Sequence, residues 1–371
     1  MKVALVHDYI KEYGGAERVL KTLSEIYPDA PIYTAFAVNG STAYKEFKNK
    51  KNIESSLSPI LKIWKLYSPL RFLIPVIWGS MDLTKYDLVI TSCSWYVTRG
   101  FKVGPKTKVV AYCHTPPRWL YGYETSVGFT KYWPVKVYAA IVSHFIRIYD
   151  FNTAQKIKYW IANSINVKNR IWKFYRKEAE VIYPPIEVEE IKKQTKDIEK
   201  ENFYLIVSRL VGAKGINEAI NIAEHLGINL KIVGESHGLS DVKDKLEKKT
   251  NGKIEYLGLV SDEEKYKLMA KTKAFLALAK DEDFGMTVVE AQAAGTPVVA
   301  FNGGGFRESV INGKTGILID EISTKSLKDA IKKIEETKWS RETIMNNSKR
   351  FSKERFKEEM LQFINEKFKK K

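Results

Sequence analysis

Cysteine is nearly missing from this chain. Only Cys93 and Cys113 occur in 371 residues, which excludes a disulfide-built scaffold and points to a reduced, cytoplasmic setting. Long apolar runs are missing too. The longest uncharged stretch, residues 291–306, carries four glycines and a proline and stops short of the roughly 18 apolar residues that a membrane span needs. The opening MKVALVHDY reads as a buried strand and not as a secretory leader. Acidic residues are scarce in the first half. Residues 1–185 hold 27 Lys/Arg against 13 Asp/Glu, a balance of +14, while the remainder holds 34 against 31, or +3. The first half also holds 32 of the 45 aromatic residues. A basic, aromatic-rich half argues for an anionic partner, whether phosphates, an anionic membrane surface or nucleic acid. For nucleic acid, no helix-turn-helix, zinc or RNP pattern accompanies the charge.

The chain is too long for one ordinary core, and two domains are expected. Strand-like runs alternate with helical patterns: KVALVHDY, PIYTAF, DLVITS and KVVAYCH in the first half, then FYLIVSRL, NLKIVGE, KIEYLGLV, AFLALA and PVVAFN. This alternation predicts an α/β fold of doubly wound parallel sheets. Each half opens with a strand, a glycine turn and a helix, so the economical reading is two Rossmann-like domains facing across a cleft. The first is expected over residues 1–185, ending in the Pro-Pro hinge of VIYPPI. The second spans 186–350. Residues 351–371 form a helical tail whose Phe356, Met360, Phe363 and Ile364 make one apolar stripe, and the first domain is one surface that could receive it.

Four motifs carry chemistry. Gly14 and Gly15, in GGAER, follow the first strand, where backbone can approach a ligand and a helix start offers N–H groups to an anion. An ordinary tight turn would use the same residues, and the pattern is not the GxGxxG of nicotinamide dinucleotide sites. In HTPPRWLY, His114 emerges at the carboxyl end of a strand. Arg118 and Trp119 either bind an anionic acceptor or clamp the loop. In SRLVGAKG, Arg209 and Lys214 bracket a glycine turn and suit a pyrophosphate. Finally, EDFGMTVVE places Glu282 in a loop and Glu290 in the first turns of a helix. The amides of Gly285, Met286 and Thr287 lead that helix and can meet a phosphate. Asp281-Glu282-Asp283 forms a D-x-D triplet, but no second acidic cluster or histidine ligand accompanies it, so no metal site is expected.

In order and spacing, GGAER, HTPPR, VIYPPI, SRLVGAKG, the Glu282–Glu290 segment and GGGFRE at 303–308 resemble the retaining family 4 glycosyltransferases of GT-B fold. The resemblance implies that Arg209 and Lys214 hold the donor diphosphate, Glu290 the ribose, and Glu282 hydroxyls of the transferred sugar. It implies that His114 meets the sugar near its 6-position, and that Gly14 and Gly15 line the donor phosphate or the acceptor. It also implies catalysis without a metal ion or cofactor and with retention of configuration, the leaving phosphate taking the acceptor's proton. HTPPRWLY is closest to mannosyltransferases of polysaccharide and glycan assembly, which makes GDP-mannose the first expected donor and a glycan or lipid-linked molecule the acceptor. A UDP-sugar donor and a GT-B epimerase are the alternatives. Residues 57–78 mix aromatics, aliphatics and Lys/Arg with three prolines, which suits peripheral contact with an anionic leaflet at the inner face of the membrane; an ordinary core-and-loop segment would read the same way.

Overall fold

The computed structural model describes residues 1–63, 67–123, 132–211, 214–235 and 252–368. The chain divides into two compact units. Of the described residues, the first unit takes 1–123, 132–185 and 356–368, and the second takes 186–355.

The first unit is built on the strands β1 (Val3–His7), β2 (Ile32–Thr34), β3 (Asn52–Glu54), β4 (Leu88–Cys93), β5 (Lys108–Cys113), β6 (Tyr159–Ala162) and β7 (Glu180–Val181). They lie in the order β3-β2-β1-β4-β5-β6-β7, every pair parallel. The second unit uses β8 (Tyr204–Val207), β9 (Leu230–Val233), β10 (Ile254–Gly258), β11 (Ala274–Ala277), β12 (Val298–Phe301) and β13 (Gly316–Ile319). Their order is β10-β9-β8-β11-β12-β13, again all parallel. Numbered within its own half, the second sheet reads 3-2-1-4-5-6, and the first repeats that order with one strand more. This is the winding of Rossmann-type domains. The central strands are apolar on both faces because helices cover both: Leu5, Val6, Val89, Ile90, Val298 and Val299 are fully buried.

Helix Lys353–Phe368 buries Phe356, Met360, Phe363 and Ile364 in the core of the first unit, together with Leu20, Leu23, Leu88 and Val110. Ion pairs Lys357–Glu25 (2.7 Å) and Lys367–Glu180 (2.6 Å) flank this stripe.

In several places the structure departs from the sequence reading. VIYPPI, whose apolar run reads as a strand over residues 181–186, holds strand pairing only at its start, in β7 (Glu180–Val181). Pro184 and Pro185 lack the N–H groups that a longer strand would need, and Ile186 turns to the second unit, exchanging backbone hydrogen bonds with Phe351 and Lys353. The polar stretch that follows contains a helix, Val188–Gln194, anchored by buried Val188 and Ile191. The long helix Trp133–Gln155, the edge strand β3 and the last strand β13 were not foreseen. By contrast, the described part of residues 57–78 agrees with its three prolines, which rule out one long helix: it forms the short pieces Ser58–Lys62, Pro69–Leu73 and Ile74–Gly79, each with a proline in its first turn.

Candidate functional site

Both sheets wind in opposite directions from their first strand. β2 and β4 flank β1, and β9 and β11 flank β8. Loops leaving the carboxyl ends of such a strand pair part from one another and open a crevice, the usual ligand position of the fold. Arg209, Lys214, Glu282 and the Gly14–Gly15 turn follow strands of these groups, His114 follows β5 one strand further out, and Glu290 lies in the helix that the Glu282 loop leads into.

In the second unit, Arg209 and Lys214 follow β8, and Glu282 follows β11. Lys214 Nζ and Glu282 Oε2 pair at 2.5 Å, with about a fifth of each side chain exposed. Residues assigned to two different ligand groups are thus brought into one ion pair. Arg209 is exposed. Gly285 caps helix Met286–Ala293 with φ +89°, and a Cβ there would lie 2.6 Å from the Phe306 ring. Met286 and Thr287 are half-buried and lead the helix, at the end where backbone N–H groups collect partial positive charge.

The GGGFRE loop after β12 fixes the Glu282 loop from behind. The Gly305 amide donates to the Glu282 carbonyl at 2.9 Å. Gly304 has φ +54°, and a Cβ there would lie 2.3 Å from the same carbonyl oxygen, so only glycine lets the two loops touch. The back of the helix is anchored by Gln292, which donates to the Ser309 carbonyl (2.9 Å) and accepts from Asn347 (2.7 Å).

Glu290 is 3% exposed. Its Oε2 lies 3.0 Å from Lys265 Nζ, which also reaches Asp262 Oδ1 at 2.9 Å. The Lys265 contact lacks hydrogen-bond geometry, and Glu290 Oε2 stays buried without a hydrogen-bond donor. Lys265 neutralises the charge and leaves an acceptor position open. Nothing in the sequence pointed to Lys265, which lies 25 positions from Glu290 on another helix.

In the first unit, a polar chain runs beneath the carboxyl ends of β1, β4 and β5. Glu17, in the first turn of helix Gly15–Ile26, accepts from the Gly14 amide at 3.0 Å through Oε2. Its Oε1 is 3.3 Å from His7 Nε2. His7 Nδ1 is 3.0 Å from Ser92 Oγ, and Ser92 Oγ is 2.8 Å from His114 Nε2. The carboxylate end can only accept, so His7 donates to Glu17 from Nε2, and the Ser92 hydroxyl joins His7 Nδ1 to His114 Nε2. The Gly14 turn and His114 are thereby linked through Glu17, His7 and Ser92. Sequence reading took only the glycines from GGAER, although Glu17 is the carboxylate that caps their own turn.

A second anchor is Asp8. It accepts from Ser94 Oγ (2.7 Å), the Trp95 amide (2.7 Å) and Thr98 Oγ1, tying the loop after β4 to β1. Burial pushes its carboxyl above the ordinary range, against the opposing influence of His7 and these donors. Trp119 proves to be a loop clamp: its Nε1 donates to the Trp95 carbonyl at 3.0 Å, and the Arg71 guanidinium lies 4.8 Å from both indole rings. Cys93 and Cys113 are free and buried. Among the described residues, no group of three or more His, Cys, Asp or Glu side chains is arranged to hold a metal ion.

Two Rossmann-type sheets with charged and glycine-rich loops at their carboxyl edges define the class: a two-domain α/β protein of GT-B architecture. The solved structure of Anabaena HepE in complex with UDP-glucose shares that fold, with a TM-score of 0.69 at 18% identity over 99% of this chain and 100% of the other. Residues 13–190 match the family described as Glycosyltransferase Family 4, and residues 187–351 match Glycosyl transferases group 1. The two matches run end to end over residues 13–351, nearly one to each unit. An uncharacterized glycosyltransferase of Methanocaldococcus jannaschii is 29% identical over 187 residues, 50% of this chain and 52% of that relative. The alpha-1,3/1,6-mannosyltransferase ALG2 of Dictyostelium discoideum is 22% identical over 292 residues, 67% of each chain. The match to the archaeal relative thus spans about half of its length.

Proposed function

We propose that this chain transfers a hexosyl group from a nucleoside diphosphate sugar to a glycan or lipid-linked acceptor, with retention of configuration and without a metal ion. The observation that carries the reading is the Lys214–Glu282 pair at the β8/β11 winding point, beside the start of helix Met286–Ala293. In a donor complex the two would exchange each other for ligand: Lys214, with Arg209, for the diphosphate, and Glu282 for sugar hydroxyls. Glycosidic cleavage leaves growing negative charge on the diphosphate, and preorganised cations and helix-end amides stabilise that charge in the transition state. The open acceptor position of Glu290 Oε2 suits a ribose hydroxyl. His114 and the Gly14–Gly15 turn would serve the sugar and the donor phosphate or acceptor. The two glutamates are not proposed as a nucleophile and acid pair. Glu290 is taken up with the ribose and Lys265, so the attacking hydroxyl would give its proton to the leaving phosphate.

Mannose from GDP-mannose is the first choice of donor, supported by HTPPRWLY and by the name of the Dictyostelium relative. UDP-glucose is the second, favoured by the donor held in the Anabaena structure. A panel of GDP-, UDP- and ADP-sugars, read by thermal shift and by release of nucleoside diphosphate in EDTA, decides between them. The favoured donor raises the melting temperature and is turned over. No shift and no release with any nucleotide sugar would sink the reading, and an inverted anomer in the product would sink its stereochemistry.

A further inference from the structure

Helix Trp133–Gln155 turns a row of large apolar side chains outward. Trp133 is 76% exposed, Val137 51%, Ile141 55%, Phe145 65%, Ile148 48% and Phe151 42%. Their spacing of four and three residues puts them on one stripe of a 23-residue helix, about 34 Å long at 1.5 Å per residue. The other side of the helix is buried through Val142, Ile146 and Ala154. A surface helix ordinarily shows a polar face to water, and a continuous apolar surface of this size marks a place of attachment.

The same surface is almost free of negative charge. Among the described residues, 67–81 contain no Asp or Glu, and 132–177 contain only Asp150. Asp150 is fully buried and ion-paired with Arg99. Exposed cations border the stripe: Lys136 and Arg147 along the helix, Lys156 and Lys158 beyond its end. The Tyr138 hydroxyl donates to the Pro69 carbonyl, bringing the helix against the Pro69–Leu73 turn and helix Ile74–Gly79. There Phe72 and Val76 are also about half exposed.

We infer that this face of the first unit lies flat on an anionic lipid bilayer, the apolar row entering the acyl boundary and the cations meeting headgroups. A bilayer fits better than a protein surface because apolar bulk, aromatic ends and an all-cationic border are what an interfacial helix presents to anionic lipid. Among the described residues, no helix is long and apolar enough to cross the membrane, so the geometry is attachment and not insertion. The inference deepens the proposal of a lipid-linked acceptor and rests on it only for its purpose. Its test needs neither donor nor acceptor, so the two can fail separately.

The test is flotation of the full chain with phosphatidylcholine vesicles, with and without phosphatidylglycerol. The protein should float with the anionic vesicles and remain behind with the neutral ones. Lys136→Gln and Lys158→Gln should each weaken binding about five-fold, the equivalent of one lost cation near a charged surface. Ile141→Asp combined with Phe145→Asp should abolish flotation while circular dichroism stays unchanged, since both side chains are exposed. Equal binding of all variants, or no binding to anionic vesicles, overturns the inference. So does a wild-type dimer in sedimentation velocity that the double variant converts to monomer, because the face would then be an interface between copies.

Discussion

The two units share a strand order but differ in how they hold polar groups at the carboxyl edge. In the first, Glu17, His7, Ser92 and His114 form a hydrogen-bonded chain, mostly buried. In the second, opposite charges face each other: Lys214 with Glu282, and Lys265 with Glu290. A hydrogen-bonded chain fixes the orientation of one imidazole and leaves little to rearrange. The Lys214–Glu282 pair, with about a fifth of each side chain exposed, is weakly held and can be exchanged for a charged ligand, whereas the Lys265–Glu290 pair is buried. One topology thus supplies an orienting half and a charge-exchanging half.

The sharpest way to break this comparison is to remove the exchangeable charges. Lys214→Ala and Glu282→Ala should each lower turnover by about two to three orders of magnitude, the loss typical of one transition-state stabilising group, with the fold retained by circular dichroism. Near-normal sugar transfer in both purified variants would end the site assignment. Glu290→Gln should follow, with donor affinity about ten-fold lower and little change in turnover of bound donor, because one charged hydrogen bond to the ribose is weakened. Titration calorimetry with the nucleoside diphosphate alone reads this directly.

Ser92→Ala tests the other half. It interrupts the chain between His7 and His114, so transfer should fall several-fold, while nucleotide binding in the second unit stays at its wild-type value. Nitrogen NMR of the histidines adds a readout that general damage would not give: in the wild type the Ser92 contact at Nε2 holds His114 in one tautomer, and in the variant that preference is lost. An unchanged His114 signal would remove the linkage. The smallest effect concerns Asp8. Its folded-state pKa is raised, so its contribution to stability is present below the unfolded carboxyl pKa and is lost as pH rises through the folded value. Against Asp8→Asn, the wild type should therefore lose ground as pH is raised from about 4 to 8, a range starting at the ordinary aspartate pKa. Denaturant melts across that range check the sign.

Much of this was legible along the chain because it depends on neighbours in sequence. Apolar runs such as KVVAYC and PVVAFN set strands, and the glycines and polar residues ending them put Arg209, Lys214, Glu282 and His114 at the carboxyl edges. Helix starts at Gly14 and Gly285 follow from glycine placed directly after a strand or loop. Less legible were elements whose pattern is weak. Helix Trp133–Gln155 is apolar nearly all round, so periodicity could not show which side faces the core. The two-residue strand Glu180–Val181 is too short to leave a pattern.

Sequence by itself determined the α/β alternation, the glycine turns and the loops that hold the candidate site residues, because each is a property of adjacent residues and of backbone freedom. Tertiary structure alone decided which side chains meet. Lys214 and Glu282 stand 68 positions apart and Ser92 and His114 22 apart, and only the winding of the sheets brings each pair within hydrogen-bond reach. It also decided that the stripe on helix Trp133–Gln155 faces outward, since a helix with two apolar sides can bury only the one that its own sheet and the neighbouring segments cover.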